Sequence, residues 1–308
     1  MLGSKQKTLL NPINFEGVGL HSGLIAKVKL IPARDNQGII FKRVDLNKNN
    51  IIKANYKNVS SAKLCTTLKN SFGASVSTVE HLMAAFYFTG IDNVIVEINS
   101  QEIPIMDGSA KDFVELIKKS GLRVLDSERK FLKIIKKVEL IKEEKNISIE
   151  PNHGSLEVDF QLGYNNKLIG NQKNYKDFTD KNLEDIYSSR TFCLFEDIEE
   201  IKKIGLAKGG SLDNAVVVKN DEVLNDGGLR NNKEFVNHKI LDLAGDFLLS
   251  GYRVLGNIKC VQGGHHLTNI FLKAVFKNSE NFVETTLNKV DLPKKEFPDS
   301  VNKIAVNA

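Results

Sequence analysis

A histidine and two aspartates recur at every fourth position in the segment NHKILDLAGD, residues 237–246. A helical repeat of about 100° per residue places His238, Asp242 and Asp246 on one side of a helix. An imidazole and a carboxylate one turn apart can hold a single metal ion. The opposite, apolar side is predicted to pack into the core, and Lys239 lies at the edge of the polar side. A solvated polar face would have the same pattern, so this segment alone leaves both interpretations open.

A catalytic zinc ion usually takes three ligands from the protein, so the histidine–aspartate pair would need one partner from elsewhere. The chain has six histidines. The other five are the candidates: His21, His81, His153, His265 and His266. His81 stands out because it follows Glu80, and in metalloproteases a ligand histidine has a neighbouring carboxylate that deprotonates water. A capped surface helix would also explain Glu80 next to His81. By themselves these two adjacent residues are therefore weak evidence for a metal site.

The elements that must position these residues alternate between strands and helices in both halves of the chain. Helices are predicted at 77–90, with a Ser/Thr start and a Gly stop, and at 109–121, 198–210, 234–250 and 265–276. Strands are predicted at 24–32, 38–46, 93–98, 131–141, 145–151, 155–164, 214–219 and 256–264. The polar stretch 165–182 is predicted to be a loop or a strand connection.

The alternation predicts an α+β fold with two similar α/β-layered domains. A polar break at 126–130 suggests domains at 1–126 and 127–276, followed by a polar, loosely ordered tail at 277–308. The helical segments at His81 and His238 each have an early histidine and a terminal glycine, which hints at an internal duplication.

Composition limits the classes of function. The net charge is +5, from 43 Lys and Arg against 38 Asp and Glu, which suits an anionic small molecule or membrane surface but is too weak to indicate nucleic acid. The three cysteines, Cys65, Cys193 and Cys260, are far apart and predict a reducing compartment. No apolar run approaches the ~20 residues of a transmembrane helix, and no signal peptide is evident. We therefore expect a cytoplasmic protein.

Several segments occur in an order and spacing that resemble one known family: STVEHLMAA, IPIMDGSA, SRTFC, GLAKGGSLDNAVV, GLRNNKEFVNHKILDLAGD and GGHHLTN. Together they resemble the UDP-3-O-acyl-N-acetylglucosamine deacetylases, the zinc amidases of lipid A biosynthesis, from about residue 17 to about residue 276. The resemblance implies hydrolysis of the N-acetyl group of that UDP-sugar in a Gram-negative bacterium, the committed step of the pathway. It also implies one catalytic Zn²⁺, which Fe²⁺ could replace in the cell. We expect a monomer.

The same resemblance implies a role for each residue of the site. The zinc ligands would be His81, His238 and Asp242. The catalytic residues would be Glu80 as general base, His265 as the catalytic histidine, Asp246 to orient it, Thr191 to stabilise the oxyanion, and Lys239 beside the substrate. Further substrate contacts would be Phe192 and Gly210, with Lys239 again. The implied fold has a small insert in each domain and the active site between the domains, and the second insert, at about 186–210, forms an acyl-chain tunnel.

Two other functions stay open. A non-haem Fe(II) oxygenase also uses two histidines and one carboxylate, although it does not need the adjacent Glu80. A catalytically silent binding module would keep the fold but lose the base or a ligand.

His21, in GVGLHSG, is predicted to have a gating or structural role. The tail is predicted to offer a regulatory protease an unstructured grip, so that deleting residues 290–308 would lengthen protein lifetime without changing kcat/KM.

Overall fold

The computed structural model describes residues 3–152 and 154–287. Strands of the first half are β1 (Lys5–Leu9), β2 (Ile13–Val18), β3 (Ile25–Pro32), β4 (Ile39–Arg43), β5 (Ile51–Lys53), β6 (Val59–Ser61), β7 (Thr67–Lys69), β8 (Ser75–Val76), β9 (Val94–Ile98) and β10 (Leu122–Glu128). Its helices are α1 (Glu80–Thr89) and α2 (Lys111–Ser120). A five-stranded sheet has the order β2-β3-β9-β4-β5, and β6-β7-β8 form a small separate sheet.

The second half has its own large sheet and its own small one. Its strands are β11 (Phe131–Ile134), β12 (Val138–Lys142), β13 (Lys145–Glu150), β14 (Leu156–Gly163), β15 (Asn171–Asp177), β16 (Phe192–Leu194), β17 (Val216–Lys219), β18 (Glu222–Val223), β19 (Arg253–Val261) and β20 (Phe282–Thr285). Its helices are α3 (Glu184–Tyr187), α4 (Asp197–Lys203), α5 (Glu234–Leu248) and α6 (His265–Lys277). Strands β16-β17-β18 form the small sheet.

The two large sheets share one topology. The order β12-β13-β19-β14-β15 in the second sheet repeats β2-β3-β9-β4-β5 in the first, and within these two sets the β9–β4 and β19–β14 pairs are parallel and the other pairs antiparallel. The second sheet also contains β11, which pairs parallel with β19, and β20, which pairs antiparallel with β11. In each half one helix precedes the central strand and another follows it, α1 and α2 around β9, and α5 and α6 around β19. The predicted α+β class is confirmed. The repeated topology is what an internal duplication would leave.

Several sequence predictions need correction because strand pairing extends regular structure into polar segments. The predicted break at 126–130 begins inside β10, which pairs antiparallel with β1. The stretch 165–182 contains β15, which pairs with β14. The predicted strand 131–141 is divided into β11 and β12, and residues 282–285 form β20 against β11, so the loosely ordered tail does not begin at 277. The protease segment predicted at 290–308 lies outside the described residues, as does His153.

Helices α1 and α5 pack directly against each other and are buried almost all round. Residues 80–87 of α1 are all buried, and so is every residue of α5 except Lys239. A helix without a solvated side belongs to the interior of a protein. The polar residues of these two helices therefore need partners inside the protein. In the described part of the chain, no helix is long and apolar enough to cross a bilayer.

We expect Gly245→Ala to destabilise the protein by about 1–3 kcal/mol, the usual cost of overpacking. A methyl group at Gly245 would lie 2.1 Å from the carbonyl oxygen of Glu80 and 3.0 Å from the nitrogen of Ala84, so α1 and α5 would have to separate. Urea unfolding measures the change in the free energy of unfolding. Gly154→Ala is the control, since nothing lies within 4 Å of its added methyl. Equal stability of the two variants would contradict the close helix contact.

Candidate active site

Two histidines and an aspartate meet where α1 and α5 are in contact. His81 lies in the first turn of α1, and His238 and Asp242 lie on successive turns of α5. The Nε2 atoms of His81 and His238 are 3.5 and 3.4 Å from Asp242 Oδ1. One possible ligand atom from each residue lies within 4.8 Å of the others. All three residues are buried. The alternative interpretation, in which this face of the helix is solvated, is therefore wrong. The three predicted ligands lie together.

The chemical state of these residues fits a divalent metal ion. His238 Nδ1 lies 3.0 Å from the carbonyl oxygen of Ser189, and because a carbonyl only accepts, Nδ1 carries the proton and Nε2 is free to bind metal. Burial lowers the pKa of His238 to about 3, which keeps the ring neutral. Burial alone would raise the pKa of Asp242, but His238, Lys239 and His265 hold it well below its ordinary value. Its Oδ1 is buried without a hydrogen-bond partner, as expected of a ligand atom.

A second group of ionisable residues adjoins the first. His265, the first residue of α6, has its Nδ1 2.8 Å from Asp246 Oδ2 and its Nε2 3.6 Å from Glu80 Oε1. Its Nε2 is also 3.8 Å from Asp242 Oδ2. Asp246 follows Asp242 by one helical turn, so α5 contributes to both groups. His266 is exposed, and only His265 of the doubled pair faces the site.

The environment gives this acid–base pair suitable protonation properties. Burial raises the pKa of Glu80, which favours its acceptance of a proton near neutral pH. Burial alone would lower the pKa of His265, but the carboxylates of Asp246, Glu80 and Asp242 outweigh it and raise the pKa to about 10. His265 is therefore a protonated donor facing a carboxylate acceptor. Perturbed pKa values of this kind are typical of catalytic acids and bases.

The start of α1 differs from the capped helix that the sequence predicts. Its N-cap residue is Val79, without a side-chain cap. Thr78 has a left-handed backbone with φ of 56°, and its hydroxyl donates to Glu102 Oε1 at 2.9 Å. The same carboxylate accepts from the backbone nitrogens of His21 and Ser22, at 2.8 and 2.7 Å. Glu102 thus ties the loop around His21 to the start of the helix that carries His81, a contact that sequence reasoning missed.

The segment SRTFC is held in place by a buried ion pair. Arg190 Nε donates to Glu234 Oε1 at 2.8 Å, at the start of α5. The next residue, Thr191, donates its backbone N–H to the carbonyl of Gly108 at 2.8 Å. The preceding Ser189 carbonyl is the one that accepts from His238. Thr191, predicted as the oxyanion residue, therefore lies on a backbone fixed beside the metal-binding group.

Two predicted substrate contacts lie at the edge of this group. Lys239 Nζ donates to Asp242 Oδ2 at 2.8 Å, and it lies 5.7 Å from the centre of the Phe192 ring. The Phe192 ring is in turn 6.3 Å from the His238 ring. Lys239 is about a fifth exposed, unlike the metal-binding residues beside it. A molecule that reaches the site would meet the Lys239 ammonium and the Phe192 ring.

The loop that contains Gly210 packs against the first half of the chain. The backbone amides of residues 208–210 donate to the carbonyl oxygens of His21, Leu20 and Ala207, respectively. These amides are therefore not free to bind a phosphate, because protein carbonyls occupy them. Gly210 itself stays a predicted substrate contact. The loop closes over the segment that Glu102 ties to α1.

Three residues of the site were missing from the sequence prediction. Ser189 orients a predicted ligand, and Glu102 supports the helix that carries another. Thr66 donates its backbone N–H to Glu80 and its hydroxyl to Asp246. None has a local sequence pattern that would reveal it, because its partner comes from another element.

Comparison with known proteins agrees with this geometry. Residues 6–277 match the family described as UDP-3-O-acyl N-acetylglycosamine deacetylase. A UDP-3-O-acyl-N-acetylglucosamine deacetylase of Wigglesworthia glossinidia brevipalpis is 40% identical over 287 residues, covering 92% of this chain and 96% of the relative. The protein of the same name from Actinobacillus succinogenes is 42% identical, with 90% and 91% covered. The chain belongs to the UDP-3-O-acyl-N-acetylglucosamine deacetylase family.

Proposed function

We propose that this protein uses a Zn²⁺ ion to hydrolyse the N-acetyl group of UDP-3-O-acyl-N-acetylglucosamine, releasing acetate and the free amine for lipid A biosynthesis. The family supports the deacetylase activity and the substrate. The observation that carries the mechanism is an acid–base pair, the buried Glu80 and the partly buried His265, 3.6 Å apart beside three residues that could hold a metal ion. Hydrolysis of an amide needs a base for water and an acid for the leaving amine.

The metal would be held by His81, His238 and Asp242. When bound, it would supply Lewis-acid chemistry by acidifying water and polarising the amide carbonyl. Two imidazoles and one carboxylate are a common ligand set of catalytic zinc, and iron accepts the same set. We propose zinc because a carboxylate base stands next to a ligand, as in zinc hydrolases.

The protein's own groups would perform the proton transfers. Glu80 would accept the proton of the attacking water, and His265 would give a proton to the leaving amine. Asp246 would hold His265 through its 2.8 Å contact with Nδ1, leaving Nε2 to face the substrate. Thr191 would direct its hydroxyl to the oxyanion of the tetrahedral intermediate. The raised pKa values of Glu80 and His265 suit these two roles, since one accepts a proton and the other donates one.

The substrate would extend from this centre over Lys239 and Phe192. The Lys239 ammonium would attract the diphosphate, and the Phe192 ring would contact the nucleotide or sugar, with Gly210 beside them. We assign the acyl chain to the insert at about 186–210, where Phe195 and Ile204 expose apolar side chains. We also propose that the protein is a cytoplasmic monomer, as the sequence predicts.

We expect Asp246→Asn to move the basic limb of the kcat/KM profile to lower pH. His265 must be protonated to donate, so activity falls as pH rises through its pKa, which lies at about 10 against an ordinary 6.5. Without the Asp246 charge, burial has more weight and lowers that pKa. The pH dependence of kcat/KM measures the shift. His266→Ala is the control, because His266 is exposed. The basic limb of the kcat/KM profile of this variant should stay in place. An unmoved limb in Asp246→Asn would assign the limb to another group.

The proposed function is tested by an acetate-release assay with and without chelator. We expect activity in the purified protein, loss of activity after chelation, and recovery on addition of Zn²⁺. An oxygenase would instead require O₂ and Fe²⁺ and release no acetate. A silent binding module would bind the substrate without forming product. Full activity after complete metal removal would overturn the metal-dependent mechanism.

A further inference from the structure

Thr66 bonds Glu80, Asp246 and the start of α1 through its backbone N–H, its hydroxyl and its carbonyl. Its backbone N–H donates to Glu80 Oε2 at 3.0 Å, and its hydroxyl donates to Asp246 Oδ1 at 2.7 Å. Its carbonyl accepts the backbone N–H of Val79, the residue before Glu80, at 3.4 Å. Thr66 is only 2% exposed, so bulk water does not replace these partners.

These contacts close a ring of four residues. Thr66 binds one oxygen of Asp246, and His265 Nδ1 lies 2.8 Å from the other. Thr66 also binds one oxygen of Glu80, whose other oxygen lies 3.6 Å from His265 Nε2. A carboxylate with both oxygens engaged cannot rotate freely about its terminal bond. Thr66 therefore fixes the plane of each carboxylate, and the planes determine where the His265 ring can lie.

The chain adopts an uncommon conformation two residues before Thr66. Leu64 has a φ of 66°, in the left-handed region that a branched side chain disfavours. Its side chain is 47% exposed, so burial of Leu64 does not account for this conformation. Backbone strain of this kind persists only where the surrounding structure imposes it. Here the turn brings Thr66 to Asp246, 180 positions away in sequence.

We infer that Thr66 is a positioning residue for the deacetylation, acting through Asp246 on the orientation of His265. The inference rests on the proposed function. The contribution of the Thr66 side chain depends on its hydroxyl, because every residue except proline keeps the backbone N–H that donates to Glu80. Thr66→Val removes the hydroxyl and preserves the branched shape, so it separates hydrogen bonding from packing.

We expect Thr66→Val to lower kcat by about 10–100-fold, the range typical for loss of a supporting contact around a site. KM and metal content should change little, because the Thr66 hydroxyl donates to Asp246, which is neither a predicted substrate contact nor a predicted metal ligand. Thr66→Ser keeps the hydroxyl and should recover most of kcat. Thr67→Val is the matched control, since the Thr67 hydroxyl has only a 3.9 Å contact with Cys65 Sγ. If Thr66→Val does not fold, Thr66→Ala takes its place in the same comparison.

A double-mutant cycle distinguishes positioning from general structural support. In a His265→Ala background, Thr66→Val should lower kcat by less than about 2-fold, because the residue on which it acts is gone. A loss that persists in full in that background would overturn the inference, and so would an unchanged kcat in Thr66→Val. Failure of the unsubstituted protein to release acetate would instead overturn the proposed function, and this inference with it.

Discussion

His238→Ala should strip the protein of its bound metal and lower kcat/KM by at least about 10³-fold. The substitution removes one of the three proposed ligand side chains from a buried site. Metal ions typically contribute several kcal/mol to such reactions, and each 1.36 kcal/mol is a factor of ten in rate. Elemental analysis of the purified variant measures occupancy, and acetate release measures activity.

The control must separate loss of metal from loss of fold, because His238 is 1% exposed. Chelated unsubstituted protein provides it: the metal-free protein and His238→Ala should have comparable unfolding temperatures. His266→Ala, an exposed histidine in the same protein, should retain full metal content. Full occupancy in His238→Ala would show that the ion is held elsewhere.

The second large effect is expected in His265→Ala, which should lower kcat by about 10²–10⁴-fold, the range for loss of a general acid. The Nδ1 of His265 is engaged by Asp246 and its Nε2 faces Glu80, so the substitution removes the proton donor that faces Glu80. Metal content should be unchanged, because His265 lies outside the metal-binding group. Steady-state kinetics and elemental analysis on the same preparation test both statements.

The doubled histidine supplies a matched control for this variant. His266 is exposed and adjacent, so His266→Ala should cost little activity. A severe loss in His266→Ala with little loss in His265→Ala would contradict the assignment of the acid. Reduced metal content in His265→Ala would instead indicate that this residue is a ligand.

Local sequence determined the elements that carry the site. The helical repeat alone places His238, Asp242 and Asp246 on one side of α5, because 3.6 residues per turn is a property of the backbone. Alternating and apolar stretches likewise predicted the α+β class and nine of the twenty strands in the described residues, with β11 and β12 merged into one. Where regular structure depends on a distant partner, the prediction was wrong. The polar residues 126–128 form a strand only because β1 lies beside them, and 282–285 because β11 does.

Only the tertiary structure decided how the chemical groups meet. The sequence could not tell a solvated face of α5 from a buried one, since that depends on what packs against it. Gly245 lets α1 approach so closely that Glu80 and His81 reach the residues of α5. Thr66 and Ser189 serve the site through contacts with residues far away in the chain. Side-chain chemistry is local and can be read in sequence, whereas distances between side chains arise from packing of the whole fold.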